Sequence, residues 1–172
     1  IYAYDLNPVL INVYQQIQSQ PQQFYKFLSE YKSTYNSLTG TNINRQPQTL
    51  QEAKSSKESY YYWVRNHFNH MDKMTPEGAA VFVFLNKTGF RGLYREGPHG
   101  YNVPYGHYKK TPAMMTSSEL VRIHQLIQDV KFVCSSFHES LSKVSKKDFI
   151  YLDPPYVPEN PQSFVKYTVD GF

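Results

Sequence analysis

At 172 residues, 40% apolar and 19% charged, the chain has the size and composition of one soluble globular domain rather than a disordered segment. No apolar run reaches the length of a membrane span, the start lacks a secretory-signal pattern, and one cysteine, Cys134, excludes a disulfide framework or a cysteine-based zinc site. The formal charge of +4 is local: Lys87, Arg91, Arg95, Lys109 and Lys110 face one acid, Glu96, between residues 86 and 110, while the other thirteen basic and thirteen acidic residues cancel, so an anionic partner is expected there.

"IYAYD" (residues 1–5) reads as a short strand, and Asn7-Pro8 supplies a cap and a first-turn proline for a helix to about Gln18. Pro21 opens a second helix, with Phe24, Phe27, Leu28 and Tyr31 at helical spacing, which Gly40 breaks; residues 40–49 are loop-like. A third helix is expected over roughly Leu50 to Met71, and Thr75-Pro76 caps a fourth, "EGAAVFVFL", apolar nearly all round and therefore buried. Residues 89–112 are dense in glycine and proline, which favours a long turn or β-hairpin excursion. Thr116-Ser117-Ser118-Glu119 is a capping box followed by Leu120, Ile123, Ile127 and Val130 on one face. "KFVCS" is then a strand, "FHESLSK" a short helix and "FIYL" (149–152) a buried strand. Strand alternates with helix at both ends, so the fold class is α/β, a sheet interrupted by a mostly helical insertion.

In an open α/β sheet, ligands gather beyond the carboxyl ends of the strands, where Asp5 and Asp153 both stand. Asp5 either caps the helix opening at Pro8 or offers an acceptor to a ribose hydroxyl, and "YDLN" alone does not choose. "DPPY" (153–156) says more. Pro154 and Pro155 stiffen the backbone and lack N–H groups, so the turn presents acceptors only, the Asp153 carboxylate and the Pro154 carbonyl, beside the flat face of Tyr156. That set fits a planar group carrying an amine; the plainer alternative is an ordinary strand-ending turn. The aromatic residues among the basic ones, Phe90, Tyr94, Tyr101 and Tyr105, either stack against bases or pack on a core of their own. His67 and His70 read as helical surface residues, His124 as partly buried and structural, and Tyr60 to Tyr62 as packing material.

"DPPY" after an apolar strand resembles the catalytic motif of amino-group methyltransferases. With "YYYWVRNHFN", "FLNKTGFRGLYR" and "YNVPYGHYKK" in this order ahead of it, the chain resembles the Dam-like DNA adenine methyltransferases from "YDLN" to "FVKYTVDGF". The resemblance implies a Rossmann-like sheet with a target-recognition insertion: residues 1–20 and 114–172 would form the catalytic core, and residues 21–113 the insertion with its basic hairpin at 86–110. It also implies that the glycine-rich first strand, central in the family's sheet, is absent from this sequence.

The implied activity is methyl transfer from S-adenosyl-L-methionine to the exocyclic amine of adenine in duplex DNA, at GATC-type sites as a family-level guess. Asp5 and Asp153 would bind cofactor, and Asp153, Pro154, Pro155 and Tyr156 would form the catalytic turn. Phe90, Arg91, Leu93, Arg95, His107, Tyr108, Lys109 and Lys110 would contact DNA. No metal or membrane is called for, a monomer suffices, and the cytoplasm, or wherever the target DNA resides, is the expected location. Two alternatives are a non-catalytic DNA-binding remnant and an RNA methyltransferase, and the basic hairpin speaks against the second.

Overall fold

A computed structural model describes residues 1–153. Strand β1 (Tyr2–Asp5) leads into helix α1 (Pro8–Ser19), where the Asn7 side chain accepts from the N–H groups of Val9 and Leu10 and Pro8 occupies the first turn, as the sequence predicts. Val9, Val13 and Ile17 recur on the buried face of α1. Helix α2 (Pro21–Ser37) buries Phe24, Leu28, Tyr31 and Tyr35 at the same kind of spacing.

The third predicted helix is two helices. Helix α3 (Leu50–Ala53) stops, and α4 (Lys57–His70) restarts from Ser56, which is extended and accepts from the Ser59 N–H. Ser56 also bridges to Thr41, while Gly40 lies so close to the Ser55 carbonyl that no side chain fits there. A cap competing with helix continuation, fixed by the preceding loop, explains the break. The signal was the Ser55-Ser56 pair standing ahead of Glu58.

Helix α5 (Pro76–Thr88) is the centre of the molecule, packed by α1, α2 and α4. Ala79, Ala80, Val81, Phe84 and Leu85 are fully buried, and each large apolar side chain so buried contributes about 1.5–3 kcal/mol. At its start a β-carbon on Gly78 would lie 2.5 Å from the Lys73 carbonyl oxygen, so the loop can approach only a glycine. Buried Asn12 of α1 donates to the carbonyls of Lys73 (3.0 Å) and Thr75 (3.3 Å), pinning that loop.

A 3-10 turn (Phe90–Gly92) and the two-residue strands β2 (Glu96–Gly97) and β3 (Gly100–Tyr101) follow, an antiparallel hairpin closed by Gly100 at φ 89°. Helix α6 (Ser117–Leu126) starts from the predicted capping box. Strand β4 (Lys131–Cys134) pairs in parallel with β1, Tyr2 opposite Lys131 and Asp5 opposite Cys134. Helix α1 covers this pair, with Tyr14 stacked on Phe132 at 4.6 Å and Gln15 donating to the Phe132 carbonyl. The Ser136 capping box opens the short helix α7 (Phe137–Leu141).

The protein is therefore mixed α/β, but a second expectation is corrected. Residues 149–152 are not a buried strand: they pair with neither β1 nor β4, and Phe149 is 94% and Tyr151 80% exposed. A strand exists through its partners, and an unpaired run keeps its peptide groups in water. Among the described residues no helix is long and apolar enough to cross a membrane.

Candidate functional site

The first region is the carboxyl end of the β1–β4 pair. Asp5 and Cys134 lie side by side there, and the Ser135 N–H donates to the Asp5 carbonyl at 3.1 Å. The Asp5 carboxylate accepts from the Asn7 N–H through Oδ1 at 2.7 Å, so it does shape the turn into α1, while Oδ2 makes no hydrogen bond among the described residues. An exposed carboxylate with one oxygen anchored and the other open suits a sugar hydroxyl as donor. Asp153 is exposed and no described contact joins it to Asp5. Pro154, Pro155 and Tyr156 lie outside the described residues.

The second region is the hairpin base, built by antiparallel pairing of its two arms. The Phe90 N–H donates to the Pro104 carbonyl (2.8 Å), the Gly106 N–H to the Thr88 carbonyl (2.9 Å), and Gly89 bridges Tyr105. The Tyr108 hydroxyl returns to the Gly89 carbonyl at 2.8 Å. Phe90, Arg91, Leu93, His107, Tyr108, Lys109 and Lys110 are all exposed, Phe90 within the paired stretch and the others following it on either arm, and the Arg91 guanidinium lies 5.1 Å over the Phe90 ring. Arg91 (φ 55°) and His107 (φ 40°) are the two non-glycine residues with positive φ among those described. Such a conformation is uncommon for side chains of this kind and persists only where the surroundings impose it.

Arg95 is held rather than free: its Nε donates to Asn102 Oδ1 at 2.6 Å and an Nη to the Asn102 carbonyl at 3.2 Å. The one acid of the basic segment, Glu96, accepts from the Tyr94 hydroxyl at 2.7 Å and lies 3.6 Å from the Lys73 ammonium. Its charge is thereby occupied within the protein, and among the described residues Lys87, Arg91, Arg95, Lys109 and Lys110 form no ion pair.

Three of the four aromatic candidates belong to the core. Tyr101 is buried with its ring edge-on to Phe68, Tyr94 packs on Phe82 and Tyr101, and the Tyr105 hydroxyl meets that of Tyr35 at 2.7 Å. Burial pushes the Tyr101 hydroxyl up to about 12 and raises that of Tyr94 further, the latter also through its bond to Glu96. Of the four, Phe90 alone presents an exposed ring.

The sequence reading missed what fixes the hairpin to the body. Tyr61, Arg65 and Asn69, four residues apart on α4, reach the main chain of residues 101–103. Tyr61 and Arg65 donate to the Val103 carbonyl (2.9 and 3.1 Å), and the Asn69 amide both donates to the Tyr101 carbonyl (3.0 Å) and accepts from its N–H (2.9 Å). Three polar groups at that spacing share one helical face, which was the available signal. His67 stacks on Trp63, His70 bonds the Asn66 carbonyl, and His124 bonds the Ile17 carbonyl at 2.8 Å, in keeping with structural roles. Among the described residues no three His, Cys, Asp or Glu side chains group as a metal site.

Across residues 1–172 the chain matches the family described as D12 class N6 adenine-specific DNA methyltransferase. It is 32% identical over 98% of its length to the type II methyltransferase M.MjaIII of Methanocaldococcus jannaschii, and it covers 54% of that protein. Identity is also 32%, again over 98% of the chain, with the retron Ec67 DNA adenine methylase of Escherichia coli, of which 50% is covered. For the DNA adenine methylase of Vibrio cholerae it is 29% over 98% of the chain and 53% of that protein. The chain spans about half the length of these curated relatives.

Proposed function

The chain belongs to the D12 class N6 adenine-specific DNA methyltransferases, and from that membership we propose that the protein methylates the exocyclic amine of adenine in duplex DNA, with S-adenosylmethionine as donor. Residues 1–20 and 114–172 form the catalytic core in this reading, and residues 21–113 the target-recognition insertion. A GATC-type palindrome is the site to test first, with methylation of one strand at a time by a monomer. The observation that carries the proposal is the hairpin base: seven of the eight expected DNA contacts are exposed within or next to its paired segments, and the eighth, Arg95, is held by Asn102.

Asp5 would hold the cofactor by accepting from its ribose hydroxyls, and Asp153 would stand near its methionine end. Bound S-adenosylmethionine supplies a methyl group made electrophilic by a sulfonium. The adenine amine is a poor nucleophile because its lone pair is conjugated with the ring. Asp153 and the Pro154 carbonyl accept its two N–H bonds, which lets the nitrogen pyramidalise, and Asp153 stabilises the positive charge that develops there. Tyr156 receives the flipped base by stacking, since the target atom is inaccessible inside the duplex. Lys109, Lys110 and His107 hold phosphates, and Arg95, oriented by Asn102, is the candidate to read a guanine edge.

A second reading, DNA binding without transfer, is favoured by one observation: residues 149–152, which precede Asp153, are unpaired and exposed. One experiment separates the readings. The protein and its Asp153→Ala variant are incubated with labelled S-adenosylmethionine and unmethylated duplex DNA or RNA. The expected result is label in DNA adenine, reduced in the variant by on the order of 10²–10³-fold or more. Duplex binding without transfer selects the second reading, and label in RNA sinks both.

A further inference from the structure

Outside the expected contact set, one buried charge stands against the hairpin. Glu58, at the start of α4, has a side chain only 5% exposed, with one carboxylate oxygen hydrogen-bonded and the other turned toward the hairpin. Arg45 Nε donates to Oε1 at 2.7 Å, and His107 Nδ1 lies 3.7 Å from Oε2. One carboxylate thus brings the loop of residues 42–48 beside the second arm of the hairpin. The Arg45 side chain is 62% exposed and that of His107 64%.

We infer that Arg45 is a further phosphate-contacting residue, and that Glu58 is the positioning residue that holds Arg45 and His107 on one DNA-facing surface. This rests on the reading that the hairpin base meets duplex DNA. A guanidinium has five N–H donors, and here Nε alone is hydrogen-bonded among the described residues, so the rest can grip a phosphate. The guanidinium is also braced by the Tyr62 ring, 6.0 Å away, whose ring lies 4.7 Å from the Arg65 guanidinium. On the far side, Lys57 donates to Thr111 at 3.0 Å, so the first turn of α4 joins this arm of the hairpin on both sides of Lys109 and Lys110.

The sign of one substitution separates positioning from plain charge. A carboxylate near a phosphate backbone repels it, so Glu58→Gln would tighten DNA binding if Glu58 acted through its charge alone. If it positions Arg45 and His107, the same change weakens binding.

The test measures binding of the protein to two fluorescent duplexes, one with a GATC site and one scrambled, over a series of salt concentrations. Arg45→Ala is expected to weaken both duplexes about equally, by roughly 5–10-fold, and to lower the slope of log affinity against log salt by about 1. Arg45→Lys should restore part of the affinity, and Glu58→Gln should weaken binding by a few fold. Circular dichroism melts monitor folding, and Arg45→Ala, at an exposed side chain, carries the test even if the buried Glu58 variant unfolds. Unchanged affinity and slope in Arg45→Ala, or tighter binding by folded Glu58→Gln, overturns the inference alone. A parent protein that binds neither duplex overturns the DNA reading together with it.

Discussion

Asn69 shows how much one side chain can decide. Its amide occupies both main-chain groups of Tyr101, in the manner of a neighbouring strand. Asn69→Ala leaves a partly buried N–H and C=O without partners, and should destabilise the protein by about 1–3 kcal/mol. Amide exchange at Tyr101 and Asn102 should quicken more than exchange in α5; uniform quickening throughout would contradict a local clamp. The residues legible from sequence were those whose partners are near in the chain: Asn7 capping α1, and Thr116 with Glu119 capping α6. Asn69, Glu58 and Arg45 were not, because the groups they meet are many residues away and no local pattern announces them. Tyr94, Tyr101 and Tyr105 were ambiguous for the same reason, since an aromatic in a glycine-rich loop looks alike whether its ring turns inward or out.

Among the elements, α5 depends most on a single position. Gly78 faces the Lys73 carbonyl so closely that Gly78→Ala must displace the loop that Asn12 pins. A loss of about 1–3 kcal/mol in denaturant unfolding is expected, as for other overpacked sites, although alanine is the better helix former. No loss at all would mean that the loop yields freely. Thr116→Ala, which removes the cap of α6, should cost about 1 kcal/mol and serves as a local comparison. Most helices were read correctly because their apolar spacing and caps agree. The break between α3 and α4 was missed because a serine inside a polar helical stretch becomes a cap only when a distant loop, here Gly40 and Thr41, pairs beside it. The run 149–152 was misread for the opposite reason, since β-favouring residues make a strand only when an edge receives them.

At the scale of the molecule, the interior is knit by tyrosine hydroxyls. Burial pushes Tyr60 and Tyr101 up to about 12 and raises Tyr31, Tyr35 and Tyr61 further. These folded values lie above the ordinary value near 10, so their stabilisation is fully present below pH ~10 and is lost as the pH climbs through about 12. Alkaline titration should therefore show tyrosinate absorbance of the buried set rising together with loss of helical circular dichroism. Ionisation of that set with the helices intact would refute it. The ladder of Tyr61, Arg65 and Asn69 has a wider consequence. A grip on peptide groups does not depend on the hairpin's exposed side chains, so on the proposed reading Phe90, Arg91 and Leu93 can be exchanged while the helix keeps its hold, whereas Gly100, at φ 89° against Asn69, and the core residues Tyr94 and Tyr101 stay fixed. If the hairpin meets DNA as proposed, its exposed face is in that sense an interchangeable cassette, on which new sequence preferences can evolve without rebuilding the body beneath.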